Sequence, residues 1–207
     1  MTGGTTIAYA ADNEVFDLMN RNRTPLNDDI TKVAVEYGSG YFAAGLPLVM
    51  YGTGFILRDK WVRETAMLMG TTVLLTSALT TVGKIVIGRA RPYTGFGRHE
   101  FKPFNAHEDF VSFPSGHTTA AFALSAALAA RIKNPWVSIG LYGVASAAAV
   151  SRLYSHDHWL SDVVFSAAYT TAVANSIVHW FERGDEAGAH TVNVIPSGNG
   201  IRVVWLF

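Results

Sequence analysis

The sequence predicts an all-α bundle of about six helices, followed by a short C-terminal β-hairpin. Apolar residues make up 49% of the 207 residues and charged residues only 15%, well below the usual quarter. Several long stretches of the chain carry no charge at all. The end of the chain differs, because residues 191–195 and 201–207 are rich in β-branched and aromatic residues and flank the turn-forming Ser197-Gly198-Asn199-Gly200.

The first elements are short. Residues 13–20 predict a helix, and a second helix, capped by Asp28 or Asp29, runs to about Tyr37. Residues 38–57 then carry no charge, and Pro47 with several glycines makes a kinked membrane span conceivable there.

The later helices are longer. Residues 65–83 are uncharged over nearly a bilayer's thickness, yet their threonines also suit close packing inside a bundle. Residues 89–113 form a long irregular loop of the kind that is usually functional or disordered. Three helices are predicted after it, at 118–132, 135–150 and 159–181.

The hairpin cannot stand alone in water and is expected to pack on something. The pattern as a whole predicts a tail or processing remnant at 1–11, a helical domain at 12–184, and a hairpin or tail at 185–207. The composition leaves open either a membrane protein or a soluble protein with very apolar helices.

Charge and cysteine content exclude some functions. The formal net charge is zero and no basic patch is present, so nucleic acid is not an expected partner. The chain has no cysteine, which excludes a disulfide framework and thiolate chemistry.

The densest group of reactive residue types lies between Ser151 and Asp162. His158 and Asp162 are four residues apart and share a helix face, where the carboxylate can hold the imidazole in one tautomer. Arg152 is always charged and suits an oxyanion. The alternative is a polar loop that caps a helix.

Two further segments add to this group. Lys84 and Arg91 are about two helical turns apart, and Pro92 is expected to end their helix and leave Arg91 at its mouth. A snorkelling pair at a membrane edge is the alternative. Pro114-Ser115-Gly116-His117 precedes an alanine-rich helix, where amides can bind an anion, or where Ser115 simply caps the helix.

Together the three segments suit phosphoryl transfer. Three cations around an amide nest match the oxygens of a transferring phosphoryl group, and two histidines match a nucleophile and a general acid. No cluster has the spacing of a metal site, so neither a metal nor another cofactor is expected.

In order, these segments resemble the three-part signature of the type-2 phosphatidic acid phosphatase family, which includes bacterial non-specific acid phosphatases and vanadium haloperoxidases. The matching positions are Lys84-x6-Arg91-Pro92, Pro114-Ser115-Gly116-His117 and Ser151-Arg152-x5-His158-x3-Asp162. The resemblance implies the family's helical bundle and a metal-independent phosphatase.

The resemblance also implies roles for these residues. His158 attacks phosphorus and forms a phosphohistidine, Asp162 orients it, and His117 protonates the leaving oxygen. The phosphoryl oxygens are held by Lys84, Arg91, Arg152 and the amides of Ser115 and Gly116. Arg89 falls outside the signature and is expected to face solvent or lipid headgroups.

The expected substrate is a phospholipid or a polyprenyl phosphate or pyrophosphate, hydrolysed at the periplasmic face of a bacterial-type cell membrane. A soluble periplasmic acid phosphatase and a vanadate-dependent haloperoxidase are the alternatives. The sequence does not determine the headgroup or the oligomeric state.

Overall fold

The computed structural model of the chain describes residues 2–186, 191–197 and 200–206, with side chains described from residue 3 to residue 184. These residues form eight α-helices and two short 3₁₀ helices. The α-helices are α1 (Thr2–Ala10), α2 (Asp12–Arg21), α3 (Pro25–Glu36), α4 (Gly40–Ile56), α5 (Lys60–Ile87), α6 (Gly116–Ile132), α7 (Pro135–Tyr154) and α8 (Leu160–Glu186). The 3₁₀ helices are Pro92–Thr94 and Glu108–Phe110.

The prediction of an all-α bundle is confirmed, but the described residues form eight α-helices rather than about six. One additional helix is α1, which packs on α8 and buries Ala8. The predicted break after Tyr37 falls at Ser39, whose hydroxyl accepts a hydrogen bond from the Phe42 amide at 3.2 Å. This cap starts α4 and separates it from α3.

The helix α6 is the centre of the bundle, because it packs against α5, α7 and α8. Its Ala121, Ala123 and Ala126 are fully buried. On α7, Ala145 and Ala148 meet Ala121 in one buried cluster. Small side chains let helix backbones approach closely, which explains why an alanine-rich helix occupies this position.

The helix α5 has two chemically distinct sides. Towards the bundle, the Thr72 hydroxyl donates to the Leu68 carbonyl at 2.8 Å, and the Thr76 hydroxyl donates to the Thr72 carbonyl at 2.7 Å. A hydroxyl bonded within its own helix can be buried at little cost. On the other side, Leu74 is 74% exposed and Val82 is 60% exposed. The helix therefore turns Thr65, Thr72, Thr76 and Thr80 towards the interior, and Leu74, Leu79 and Val82 outward.

Two helices, α5 and α7, are long and apolar enough to cross a membrane by length and composition. The helix α4 is also apolar but has only 17 residues. These three helices provide the outward-facing apolar surface that is considered below.

Near the C-terminus, β1 (Thr191–Ser197) and β2 (Gly200–Leu206) pair antiparallel. Residues 187–190 and 198–199 lie outside the described residues, as do all side chains beyond residue 184. The packing of a hairpin on the rest of the chain and the predicted domain boundaries therefore stay predictions.

Candidate active site

Four helix ends meet on one side of the bundle. They are the C-terminal ends of α5 and α7 and the N-terminal ends of α6 and α8. A hydrogen bond of 2.8 Å from the Ser115 amide to the Ser166 hydroxyl joins the starts of α6 and α8. The connection between α5 and α6 also lies here, because the Arg91 amide donates to the Asp109 carbonyl and the Tyr93 amide donates to the His156 carbonyl. All three predicted motifs therefore lie on this side.

The helix that carries Lys84 ends earlier than predicted. Gly88 caps α5 with a φ of +61°, and its amide donates to the Lys84 carbonyl at 3.0 Å. A Cβ on Gly88 would stand 1.8 Å from the Lys102 carbonyl oxygen, so only glycine fits. The prediction that Pro92 ends this helix is wrong, and Arg91 lies in extended backbone beyond it.

Lys84 itself lies over the start of α6. Its Nζ donates to the Val111 carbonyl, and its Cε is 3.8 Å from the position that a Cβ on Gly116 would take. The last turn of α5 thus places a cation beside the start of α6, which the sequence predicted to bind an anion.

Arg91 and Arg152 converge on one carboxylate that the sequence does not single out. Arg91 Nη1 lies 3.3 Å from Asp157 Oδ1, and Arg152 Nη2 lies 2.6 Å from Asp157 Oδ2. The Ser155 hydroxyl donates to the same carboxylate. The two guanidinium groups therefore enclose a space that already holds an anionic group.

The start of α6 differs in one respect from the prediction. The Ser115 hydroxyl caps the helix by accepting from the Thr118 amide at 3.5 Å. The Ser115 amide is already paired with Ser166. The amides of Gly116 and His117 come next, at positions that no carbonyl of the same helix reaches.

His158 lies in the turn between α7 and α8 and is only 4% exposed. Its Nδ1 is 3.8 Å from Asp162 Oδ2, too far for a hydrogen bond, and has no hydrogen-bond partner among the described residues. Burial lowers the pKa of His158 to about 4, although Asp162 opposes this effect. The ring is therefore neutral at neutral pH, with Nδ1 on the side of the carboxylate and Nε2 on the opposite edge.

His117 lies on the first turn of α6 and is partly exposed. Burial, together with the nearby charges of Arg152 and Lys84, lowers the pKa of His117 to about 4. A bound anion would offset these positive charges and raise that pKa again.

Asp162 is fully buried, and both of its oxygens accept hydrogen bonds. Oδ1 accepts from Arg89 Nη1 at 2.5 Å, and Oδ2 accepts from the Ser112 hydroxyl at 2.5 Å and the Trp159 amide at 2.9 Å. The expectation that Arg89 faces solvent or headgroups is wrong, because Arg89 is 2% exposed. Its Nη2 lies 2.7 Å from Asp12 Oδ2, so two carboxylates hold the guanidinium inside the protein.

Asp12 and Asp157 are the site residues that sequence reasoning missed. Asp12 begins α2, where an acidic residue is ordinary because of the helix dipole. Nothing in the local pattern indicates that α2 packs on α7 and α8 and buries this carboxylate. Asp157 did carry a signal, since it lies between Arg152 and His158 in the charged stretch.

Positive charge at this site comes from lysine and arginine side chains. In the part of the chain that the structure describes, no group of three or more histidine, aspartate or glutamate residues is placed to hold a metal ion. A phosphoryl group bound here would therefore meet lysine, arginine and backbone amides.

Comparison with known proteins gives a consistent picture. Residues 65–185 match the model of the PAP2 superfamily. A lipid A 1-phosphatase of Rhizobium etli is 36% identical over 101 residues, which are 48% of this chain and 43% of that protein. A lipid A 1-phosphatase of Porphyromonas gingivalis is 32% identical over 123 residues, 58% of this chain and 25% of that protein. The matches span less than half the length of these curated relatives.

Two solved structures have a similar fold. The crystal structure of Aquifex aeolicus LpxE superposes with a TM-score of 0.66 at 23% identity, covering 81% of this chain and 94% of that one. The transmembrane PAP2-type phosphatidylglycerolphosphate phosphatase of Bacillus subtilis superposes with a TM-score of 0.64 at 22% identity, covering 86% and 92%. At these identities the likeness concerns the fold.

The pairing of Asp157 with two arginines predicts that this carboxylate competes with bound anions. Asp157→Asn removes the charge but keeps the shape, so the Kd for inorganic phosphate should fall by on the order of tenfold, which is about 1.4 kcal/mol. Isothermal titration of the purified protein with phosphate measures the change.

Asp109→Asn is the matched control, because the Asp109 carboxylate contacts Tyr93 and His107 instead of the two arginines. Its Kd should stay within about twofold of the original value. Weaker phosphate binding in Asp157→Asn would mean that Asp157 holds the arginines in place and does not compete with the anion.

Proposed function

The chain belongs to the PAP2 superfamily, and we propose that it is a metal-independent phosphatase that hydrolyses a phosphate ester of a membrane lipid. The observation that carries this proposal is the convergence of Arg91 and Arg152 on a single carboxylate. Two fixed guanidinium groups around one anionic group, with Lys84 and His117 nearby, form the arrangement that a phosphoryl group requires.

We assign the phosphoryl oxygens to these cations and to the start of α6. Arg91 and Arg152 each offer a planar fork of donors, and Lys84 offers a point charge. The amides of Gly116 and His117 complete the set. Because the Ser115 amide is bonded to Ser166, its assignment to the phosphate requires that bond to open.

The two histidines have different roles in the proposed reaction. His158 attacks phosphorus through Nε2, because Asp162 lies on the Nδ1 side of the ring. The bond from phosphorus to the leaving oxygen breaks, and that oxygen takes a proton from His117. Water then attacks the phosphohistidine and gives a proton to His117, and the phosphorus–nitrogen bond breaks to release phosphate.

The electrostatics support this order of events. In the free protein the pKa of His117 is lowered to about 4 by burial and by neighbouring cations. An incoming phosphate compensates Arg152, Lys84 and Arg91, so the pKa of His117 rises only once substrate is bound. The general acid is then charged when a leaving oxygen is present to receive the proton.

The outer surface supports a membrane location. Large apolar side chains are exposed along α4, α5 and α7, which is typical of a surface that contacts lipid. They are Tyr41, Leu48, Val49, Phe55 and Ile56 on α4, Leu74, Leu79 and Val82 on α5, and Trp136, Ile139 and Val144 on α7. Since the candidate site lies at the ends of α5 and α7, these spans would place it at a membrane surface.

An apolar groove beside the site supports a lipid substrate. A cavity of about 470 Å³ between α1 and α8 is lined by Tyr9, Phe113, Phe165 and Tyr169, among others. Phe113 immediately precedes the Pro114-Ser115-Gly116-His117 segment. Because the curated relatives are named as lipid A 1-phosphatases, lipid A that carries a 1-phosphate is the first substrate to test.

The proposed function predicts phosphate release without a metal. The purified chain in detergent is given lipid A 1-phosphate, phosphatidic acid, phosphatidylglycerol phosphate, a polyprenyl pyrophosphate and a soluble phosphomonoester, each with and without EDTA. We expect release from at least one lipid, unaffected by EDTA and inhibited by vanadate. Activity that EDTA abolishes and magnesium restores would contradict the mechanism, and a preference for the soluble ester would contradict the lipid assignment.

The roles of the histidines predict different dependences on the leaving group. A nitrophenyl phosphate needs little protonation, so His117→Ala should lose much less activity on it than on an alkyl phosphate. His158→Ala should be inactive on both and should trap no phosphoenzyme. The measurement is kcat for the two substrates in each variant. If both variants show the same dependence on the leaving group, the assignment of His158 as nucleophile and His117 as general acid is wrong.

We propose that the site faces the periplasm, which predicts that the end of α5 beside the site can be labelled from the periplasm. The chain has no cysteine, so a single introduced thiol reports its own position. Glu100→Cys lies after α5 on the side of the site, and the control Leu57→Cys lies before α5; both residues are exposed. In intact cells a membrane-impermeant maleimide should label Glu100→Cys and spare Leu57→Cys. The opposite labelling would place the site on the cytoplasmic side.

A further inference from the structure

Asp12 is a buried carboxylate outside the residues that match the superfamily model. It is the first residue of α2 and is 1% exposed. Oδ1 accepts from the Ser161 amide at 2.8 Å, and Oδ2 accepts from the Ser161 hydroxyl at 2.8 Å and from Arg89 Nη2 at 2.7 Å. A charge this deeply buried is costly unless it is paired, so the pairing defines its position.

Arg89 links this carboxylate to the candidate active site. Its Nη1 donates to Asp162 Oδ1 at 2.5 Å and to the Ser161 hydroxyl at 2.7 Å. The guanidinium also lies 5.5 Å from the Trp159 ring. Ser161 is shared, because its hydroxyl accepts from Arg89 and donates to Asp12. The connection from α2 to Asp162 is therefore short and fully hydrogen-bonded.

A second contact holds the chain just before Asp12. Arg98 Nη1 donates to the carbonyls of Tyr9 and Ala10, each at 2.8 Å. Tyr9 and Ala10 are the last two residues of α1 and lie three and two positions before Asp12. The connection between α5 and α6 thus holds the start of α2 in place at the site.

The charges in this group do not cancel. Asp12 and Asp162 carry two negative charges and Arg89 one positive charge, and each side chain is at most 2% exposed. One negative charge is left beside His158, where water screens little. Two other cations, Lys84 and Arg91, also act on His158, and they favour its neutral form. The excess negative charge opposes them when His158 becomes cationic on phosphorylation.

We propose that Asp12 is a positioning residue for His158. Acting through Arg89 and Ser161, it fixes Asp162 beside the imidazole and prevents Arg89 from neutralising Asp162. The N-terminal helices α1 and α2 are then part of the catalytic apparatus. This inference rests on the proposed function, because it assigns Asp12 to the step in which His158 gains positive charge.

The test uses variants with opposite electrostatic effects in the full-length protein. Asp12→Asn removes the excess negative charge, so the pKa of His158 should fall, and kcat should fall by about 10- to 100-fold with KM within about twofold. Arg89→Gln adds excess negative charge, so the acidic limb of the pH profile of kcat/KM should move up by about one pH unit. The double variant restores the original charge, and its limb should return towards that of the wild type.

Asp17→Asn is the matched control, since Asp17 is exposed on the same helix. It should leave kcat, KM and the pH profile unchanged. The ring ¹⁵N shifts of His158, followed by NMR during a pH titration, provide a second measurement of the same pKa change. A residue that only stabilised the fold would lower the melting temperature of both single variants without moving their titrations in opposite directions.

The outcomes separate the two proposals. Wild-type phosphatase activity with titrations that move in opposite directions supports the positioning role. If the wild-type chain is active but the pKa of His158 does not shift in opposite directions in the two single variants, the role of Asp12 is wrong and the proposed function stands. A wild-type chain that releases phosphate from no substrate overturns the proposed function before any variant is compared, and the positioning role falls with it.

Discussion

The structure depends on keeping several like charges together at one end of an apolar bundle. The cations and carboxylates assigned to the site number four and three, so among these seven residues positive charge is in excess by one when the histidines are neutral. The cations are Lys84, Arg89, Arg91 and Arg152, and the carboxylates are Asp12, Asp157 and Asp162. Like charges at close range in a poorly screened environment repel strongly, and each must be held by a partner.

The partners divide the site into two layers. The inner layer is Arg89 between Asp12 and Asp162, all of it buried, and it carries an excess of negative charge next to His158. The outer layer has Arg91 and Arg152 around Asp157, with 15% to 23% of these side chains exposed. An anion from outside therefore meets guanidinium groups first, and the His158 imidazole has Asp162 on its Nδ1 side. This order of charges suits the proposed role of His158 as nucleophile.

The rest of the bundle has the opposite chemistry. Alanine and threonine make up much of the interior, and many larger aliphatic and aromatic residues of α4, α5 and α7 face outward. The buried Thr72 and Thr76 hydroxyls bond to carbonyls of their own helix, so these two side chains need no further polar partner. A second group of charges lies at the far end, where Arg131 approaches Glu64 at 3.3 Å and Glu182 at 3.5 Å. Charge at both ends and apolar surface between them fit a chain that crosses a membrane.

The sequence by itself determined the helical class and which residue types have the chemistry for the site. Helical stretches show in local composition, and the proposed phosphoryl site is indicated by the spacing of Lys84, Arg91, His117, Arg152 and His158, because both are properties of neighbouring residues or fixed motifs. The number of helices does not follow from local composition, since α1 has no strong pattern of its own and is helical where it packs on α8.

Only the tertiary structure decided where the charges go. Arg89 and Arg91 are two residues apart and equally charged, yet one is buried against two carboxylates and the other faces Asp157. Gly88 causes this difference by ending α5 early, and its need for glycine comes from the Lys102 carbonyl, fourteen residues further along the chain. Asp12 joins the site from helix α2, where Ser161 and Arg89 pair with its carboxylate. A buried charge is defined by partners that are distant in sequence, and local patterns do not contain them.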